Sequence, residues 1–300
     1  MTDLRQSPNY ARYMRSLGWI VEEGMFIKKL WFTSIVKIQH PAKINLSPLK
    51  KYHPFLIKME PNVNFKFQIS NFKFSRDNWP LIPSKTIVLD LEKIVLPKDT
   101  RYEIRKAEKK NLKIKQSDDI EQFYKILQET MKIGHWEIPI KKEVINLWKS
   151  FQPNNSVILL TCHPGTSEAS DRIYSERFLW RSRELAHRPL ASRMTTVVAG
   201  CLLVWHGDTA HYMYAANTRK GRESGAAYLT LWEAIKFCQS KSALKGRDLA
   251  PGGKLKYLDL EGIYDDRFPS STKNWQGFTA FKMQWGGKIV EYPGSYTKYF

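Results

Sequence analysis

The sequence contains no run of about 18 or more apolar residues, the length that a helix needs to cross a bilayer. Its first residues, MTDLR, lead into a polar amphipathic segment instead of the apolar core of a signal peptide. Cysteine is scarce, since Cys162, Cys201 and Cys238 are the three present, and all lie in apolar segments. These absences argue against a membrane-spanning protein and a disulfide scaffold, and they predict a cytoplasmic protein with buried, reduced thiols.

Several common catalytic patterns are also missing. The chain has no phosphate-binding Walker loop, no serine nucleophile elbow and no paired-cysteine zinc signature. Among the seven histidines, His206 and His211 flank a tight turn, and we expect them to be exposed hairpin residues and not ligands. The sequence therefore predicts a protein without a metal site.

Basic residues are abundant. A chain of 300 residues with 42% apolar and 13% aromatic content can form two cores, each in a unit of about 100–150 residues. Its 48 basic and 29 acidic residues give a formal net charge of +19. This charge favours a polyanionic partner or an anionic membrane surface, although lysine also serves solubility alone.

Periodicity divides the chain into two units. The first begins with a helix that Ser7 caps, Pro8 opens and Gly18 ends. Apolar strands follow at 19–23, 25–30, 34–39, 55–60 and 86–91, and we expect them to form one mixed sheet, with a short helix at Ser47-Pro48. A basic helix at 98–111, with Thr100 and Glu103 spaced as a capping box, then reads as a connector.

The second unit alternates strands and helices from residue 112. Strands are predicted at 112–116, 157–162, 197–206, 210–217, 257–261 and 288–292, and the long helix that follows Asn217 carries apolar residues at helical spacing. The predicted domains are 1–111 and 112–300, with the C-terminal end returning to the first. Two basic stretches, 163–194 and 241–256, are predicted to be surface loops that are either solvated insertions or RNA-contacting arms.

Four segments carry a resemblance to a known family. They are YARYMRSLGW at 10–19; TIVLDL at 86–91 with TRYEIRKAEK at 100–109; YMYAAN at 212–217; and DLEGIY at 259–264 with FKMQWGG at 281–287. In this order and spacing, the chain resembles the FemABX peptidoglycan-bridge aminoacyltransferases over nearly its whole length.

The resemblance implies an α+β fold of two tandem GNAT-like domains, with mixed and mostly antiparallel sheets flanked by helices. It also implies an aminoacyl-tRNA as donor and a muramyl-pentapeptide precursor, UDP-linked or lipid-linked, as acceptor. No metal or cofactor is expected. The implied protein is a monomer that can meet the inner face of the membrane peripherally.

The resemblance further implies site residues. Phe281 and Lys282 match the pair beside the reacting ester, where a backbone amide and a cation stabilise the intermediate. Asp90 matches an aspartate near the acceptor amine, although it can equally be a strand-ending residue. The alternative for Lys282 is a solvated lysine before a Gly-Gly turn.

Other residues are expected to bind the two substrates. Tyr212 and Tyr214 lie two apart on a strand and are expected on the same side, lining the second-domain cleft or packing in a core. Lys37 is a candidate for the precursor diphosphate, or an ordinary exposed strand lysine. The candidate tRNA contacts, or else a solvated charged face, are Arg101, Arg105, Lys106 and Lys109.

Two rival functions remain open in the sequence. The segment Arg222-x-x-Gly225-x-Ala227 has the form of a pyrophosphate cradle at a helix start, which favours a CoA-dependent GNAT-type N-acyltransferase. A non-catalytic RNA-binding factor on the same scaffold would share every feature except dependence on Lys282.

Overall fold

The computed structural model describes residues 2–41, 43–63, 73–164, 196–243 and 254–300. Nearly all of the predicted loop at 163–194, and most of the one at 241–256, lies outside the described residues. Within the described ranges, none of the helices combines the length and apolar character that crossing a bilayer requires.

The first sheet has six strands in the described part of the chain, in the order β1-β2-β3-β4-β13-β5. Neighbours are antiparallel except for β3 and β4, which run parallel. The strand β13 lies between β4 and β5, so the end of the chain is in this sheet. The strands are β1 Ile20–Glu22, β2 Met25–Lys29, β3 Ser34–Gln39, β4 Pro54–Glu60, β5 Ser75–Asp77 and β13 Ser295–Tyr299.

The second sheet has seven described strands in the order β12-β6-β11-β10-β9-β8-β7, and its parallel pair is β10 and β11. The predicted hairpin of β9 and β10 around Gly207-Asp208 is confirmed. The strands are β6 Lys85–Asp90, β7 Lys113–Ser117, β8 Ser156–His163, β9 Thr196–His206, β10 Thr209–Asn217, β11 Tyr257–Gly262 and β12 Lys288–Glu291.

The placement of β6 corrects the sequence analysis. Residues 86–91 were expected to complete the first sheet, but β6 pairs with β11 and β12 in the second. Ile87 and Leu89 pack into the core between this sheet and the long helix of the second unit. Because that burial is made with residues far along the chain, local alternation could not indicate which sheet β6 joins.

The helix caps predicted from the sequence are correct in part. Ser7 caps the first helix by accepting the Tyr10 amide at 3.0 Å, as predicted. The predicted capping box is wrong, because Pro97 is the N-cap of the connector helix and the Thr100 hydroxyl instead donates to the Gln284 carbonyl. The helices are α1 Pro8–Ser16, α2 Lys98–Glu108, α3 Ile120–Gly134, α4 Lys141–Phe151, α5 Arg219–Ser224, α6 Ala226–Ala243, α7 Pro269–Thr272 and α8 Gln276–Met283.

Each face of the second sheet has its own core. One face packs on α2 and α6, and the core there contains Trp285, Cys201 and Cys238, all fully buried, which confirms the prediction of buried thiols. The other face packs on α3 and α4, and also on Leu4, Tyr10 and Phe26 from the start of the chain. The two units therefore share a core, and this second face meets the first unit.

Candidate active site

The parallel pair of the second sheet separates after a short ladder. β10 and β11 pair at three positions, ending with His211 opposite Asp259, whereas β10 continues to Asn217. On its other side β11 shifts register against β6 between Asp259 and Gly262, and Glu261 has a left-handed backbone with φ 59°. Divergent strands leave backbone groups without ladder partners. Carbonyl oxygens of β11 are therefore available to side chains at this point.

Lys282 uses these carbonyls. From α8 its ammonium donates to the Gly262 oxygen at 2.7 Å and the Glu261 oxygen at 3.3 Å, and it lies 4.8 Å from the centre of the Phe278 ring. Burial lowers the pKa of Lys282 to about 8, although Glu261 and Asp259 oppose the shift. Since an ammonium has three N–H donors, one remains for a bound molecule. The residue as a whole is partly buried, whereas burial of the ammonium itself is the main cause of its lowered pKa.

A buried ion network lies behind the lysine. The Glu261 carboxylate accepts from the Arg5 guanidinium at 2.9 Å, and its other oxygen lies 2.7 Å from Nδ1 of His211. Burial alone would raise the pKa of Glu261, but Arg5 and His211 outweigh it and hold this pKa well below its usual range. His211 is 3% exposed, so the expectation that it is an exposed hairpin residue is wrong.

The pKa of Asp259 shifts in the opposite direction to that of Glu261. It accepts the Thr86 hydroxyl and the Glu261 amide, the latter at 2.7 Å. Burial and the charge of Glu261 together raise the pKa of Asp259. The site thus holds one ionised carboxylate and one that is held towards its neutral form, an arrangement typical of functional sites.

The same three residues have the spacing of metal ligands. One ligand atom each from His211, Asp259 and Glu261 lie within 4.8 Å of one another. However, the Arg5 guanidinium already donates to the Glu261 carboxylate. This guanidinium and the Lys282 ammonium would both repel a cation placed there. The absence of a metal stays a prediction.

Phe281 lies beside Lys282 on α8 but cannot act as predicted. It is the sixth residue of the helix, so its amide is committed to the helical hydrogen bonds and not to an intermediate. Its ring packs on Tyr228 and Trp285, with centroids 5.1 Å and 6.0 Å away. Lys282 is the next residue of the same helix. Phe281 therefore supports the wall of the site.

Asp90 is separated from the lysine. It ends β6, where its carboxylate accepts the Glu92 amide at 3.0 Å and forms a turn. Thr86, which faces the bulge, lies four residues earlier on the same strand, a distance of about 13 Å at the usual rise per residue. The structure thus favours the strand-ending alternative for Asp90.

The expectation that Tyr212 and Tyr214 lie on the same side is wrong. The register of β10 shifts between them, so Tyr212 packs in the core under α6 whereas Tyr214 faces α3 and α4. A bulge inserts one residue and reverses the alternation. Burial raises the pKa of both, and Glu143 adds to this effect at Tyr214.

Lys37 is near the same acidic residue as Tyr214. It projects from β3 over the Trp19 ring at 4.6 Å, and burial lowers its pKa while Glu60 and Glu143 oppose the shift. Lys37 is therefore neither a freely solvated lysine nor part of a close ion pair among the described residues. It lies where the first sheet faces α4 of the second unit.

The candidate cations of α2 form an exposed face. Their side chains lie opposite the buried seam of Ile104 and Ala107. Lys106 forms a weak ion pair with Glu103 at 3.5 Å and lies 5.9 Å from the centre of the Tyr102 ring. Those classed as exposed are Arg101, Arg105, Lys106 and Lys109. This face is able to contact phosphates, and its role stays a prediction.

The backbone hydrogen bonds of Arg222 and Gly225 argue against the pyrophosphate-cradle alternative. The Arg222 amide donates to the Thr218 carbonyl at 2.9 Å, and the Gly225 amide donates to the Arg222 carbonyl at 3.2 Å. Gly225 is the left-handed C-cap of α5, after which α6 begins at once. The amides at these two positions are therefore not free to hold a diphosphate.

Sequence reasoning missed four members of the network: Arg5, His211, Asp259 and Glu261. One signal was available, because Asp259-Leu260-Glu261 places two acids on one face of an apolar strand. Two buried acids need compensating cations. No local pattern could have identified Arg5, which is 256 residues away from Glu261.

Two mixed sheets flanked by helices, each with one parallel pair, confirm the predicted α+β architecture. A family model described as the FemAB family matches residues 181–300. The crystal structure of FemX superimposes with a TM-score of 0.70 and 16% identity, covering 99% of this chain and 92% of FemX. The predicted resemblance to FemAB proteins is confirmed.

Two further solved structures share the fold at lower identity. One is the C-terminal domain of a protein described as a lysylphosphatidylglycerol synthetase from Agrobacterium fabrum, with TM-score 0.59, 9% identity and coverage of 98% and 88% of the two chains. The other is L-PGS from Bacillus licheniformis, with TM-score 0.55, 9% identity and coverage of 96% and 86%. No curated protein sequence matches the chain significantly.

Proposed function

We propose that this protein transfers an aminoacyl group from an aminoacyl-tRNA to the stem-peptide amine of a muramyl-pentapeptide precursor. The FemAB match and the FemX-like fold support this choice of reaction. The observation that carries it is Lys282, whose ammonium is held by two carbonyls with one donor to spare at the opening between β10 and β11.

The reaction requires positioning and charge stabilisation. The acceptor amine forms a C–N bond to the ester carbonyl, and the C–O bond to the tRNA ribose breaks. The amine loses a proton and the ribose oxygen gains one, so no oxidant or reductant is involved. A cation beside the tetrahedral intermediate stabilises its oxyanion, and fixed orientation lowers the entropic barrier.

Lys282 suits both demands. With a pKa of about 8 it is mostly charged at neutral pH, so it can stabilise the oxyanion. A pKa near the working pH also allows it to deliver a proton to the departing ribose oxygen. The Glu261 network fixes the bulge that holds the lysine, which makes Arg5, His211 and Glu261 positioning residues.

The substrates are assigned to different surfaces. Lys37 and Tyr214, which both face the region of Glu143, are proposed to bind the precursor. The cationic face of α2 is proposed to contact tRNA phosphates. Tyr212, Phe281 and Asp90 are left out of the reacting site because of their packing and position.

The donor can be tested directly with the wild-type protein. It is incubated with the UDP-linked or the lipid-linked precursor and with either charged tRNA or acetyl-CoA, and products are read by mass spectrometry. We expect the precursor to gain one aminoacyl mass with charged tRNA, and no acetyl mass with acetyl-CoA. Deacylated tRNA with free amino acid is the control. Acetyl transfer without aminoacyl transfer would overturn the proposal.

A further inference from the structure

Among the described residues, the most exposed aromatic side chains lie at one end of the first sheet. Trp31 is 96% exposed and Phe32 is 91% exposed, and both are at the tip of the turn between β2 and β3. Their rings are 6.5 Å apart and nearly perpendicular. A large exposed apolar patch on a soluble domain marks an interaction site.

Neighbouring strands extend this patch. The Thr33 hydroxyl donates to the His53 carbonyl at 2.7 Å, so the turn lies at the start of β4. The Phe300 amide donates to the Phe55 carbonyl at 3.1 Å, which brings the end of β13 to the same place. We name this surface the aromatic edge. Its exposed apolar residues are Leu30, Trp31, Phe32, Phe55, Tyr299 and Phe300.

Lysines lie beside the aromatic edge. Segments 28–33, 50–56 and 298–300 contain five lysines and no aspartate or glutamate, although the Lys28 ammonium donates to the Leu17 and Gly18 carbonyls at the end of α1. Lys298 lies 4.4 Å from the centre of the Phe300 ring and Lys29 lies 5.8 Å from that of Tyr52. Glu22 is the acidic neighbour, and Lys51 pairs with it at 2.8 Å. Aromatic rings with lysines around them match the chemistry of an anionic bilayer surface.

We propose that the aromatic edge binds the surface of an anionic phospholipid bilayer, with Trp31 and Phe32 inserted among the headgroups. The shape favours a bilayer over a folded partner, because these rings project from a turn and are almost fully exposed, whereas protein hot spots lie within a packed patch. The inference goes beyond the proposed transfer reaction, since membrane binding is measurable without turnover.

The test is co-sedimentation of the full chain with vesicles of phosphatidylcholine, with and without phosphatidylglycerol. The test variant is Trp31→Ser with Phe32→Ser. Its matched control is Trp79→Ser, an exposed tryptophan that follows β5 at the opposite end of the same sheet. Circular dichroism melting verifies that all variants fold, which we expect because these side chains are exposed.

We expect the wild type and the Trp79 variant to bind phosphatidylglycerol vesicles equally, and the double variant to bind about 100-fold more weakly. Added salt should weaken wild-type binding, because the lysines contribute electrostatic attraction. Equal vesicle binding by wild type and double variant would overturn the proposal, as would failure of the wild type to bind. Loss of tRNA binding, or of a dimer, in the double variant without any vesicle binding would assign the edge to RNA or to a second copy instead.

Discussion

The two sheets each contain one parallel strand pair, and the pairs differ in how far they remain together. β3 and β4 pair at six positions, from Ser34 to Gln39, with one register shift between Ser34 and Ile35, so they stay paired along the whole of β3. β10 and β11 pair at three positions and then separate. The same strand arrangement thus gives a parallel pair that stays hydrogen-bonded in the first sheet, and one that separates and leaves an opening in the second.

Two lysines show what this difference means chemically. Lys58, on β4, donates to the Asp77 carboxylate at 2.8 Å and is neutralised by it. Lys282 is held by carbonyl oxygens at the opening and keeps its charge without a direct carboxylate partner among the described residues. A neutralised lysine stabilises a fold, whereas a lysine held by dipoles can act on a substrate. The comparison therefore assigns stability to the first lysine and reaction to the second.

The largest expected effect concerns the ion network behind the opening. Arg5→Met should lower the free energy of unfolding by about 3–5 kcal/mol, because it leaves Glu261 buried without its cation. Urea unfolding measures this change. Lys58→Met is the matched control, and we expect a loss of about 1 kcal/mol because the Asp77 side chain is 22% exposed. Equal losses would remove the energetic difference between the two units.

The next effect concerns the reacting lysine. Lys282→Met should lower kcat about 10²–10³-fold with little change in KM, since it removes a cation that acts mainly on the transition state. Transfer to the precursor is measured under saturating charged tRNA. Lys288→Met, an exposed lysine on β12, is the control and should retain activity. Full transfer activity of the Lys282 variant would show that this lysine does not take part in the reaction.

Lys37, on β3 of the parallel pair β3–β4, should affect binding of the precursor and not the chemical step. Lys37→Met is expected to raise KM for the precursor about tenfold with kcat unchanged, because it removes one charged contact to the diphosphate. Steady-state kinetics with varied precursor measure this, and Lys43→Met, an exposed lysine nearby in the chain, is the control. A fall in kcat alone would place Lys37 in the reacting centre.

The smallest effect per residue belongs to α2. Replacing its four cations, Arg101, Arg105, Lys106 and Lys109, by Gln should reduce the salt dependence of tRNA binding by about 0.7–0.9 in the log–log slope per lost phosphate contact. Filter binding across a salt series measures it. The control removes four exposed lysines of α3 and α4: Lys125, Lys132, Lys142 and Lys149. An identical slope in both variants would show that α2 has no special contact.

The sequence predicted the elements whose signals are local. The capped helix α1, the β9–β10 hairpin and the buried thiols were all predicted correctly. It failed where the outcome depends on distant pairing. The sheet that β6 joins and the bulge that turns Tyr214 away from Tyr212 are set by register against other strands.

The candidate site, like the fold, was predictable only where its signals are local. The resemblance indicated Lys282, but its partners are the carbonyls that a left-handed Glu261 presents, and no local pattern reveals that backbone conformation. His211 appeared to be an exposed turn residue because its partner Glu261 lies 50 residues further along the chain. Long-range contacts of this kind are absent from any single segment of sequence.

The protonation of Lys282 distinguishes activity from stability. Its pKa of about 8 lies below the ordinary lysine pKa of 10.5, so between these values the unfolded chain binds more protons and this group makes folding more favourable as pH rises. A catalytic ammonium predicts the reverse for the rate, which should fall as pH rises through about 8. Loss of activity in that window would therefore not result from unfolding through this group.

The most direct test is the pH dependence of single-turnover transfer in the wild type and in Lys282→Arg. Arginine stays charged throughout this range. We predict that the wild-type rate falls above a pH of about 8, and that the variant, although slower, has no fall in the same region. The same decline in both proteins would contradict the claim that the charged Lys282 at the opening drives the reaction.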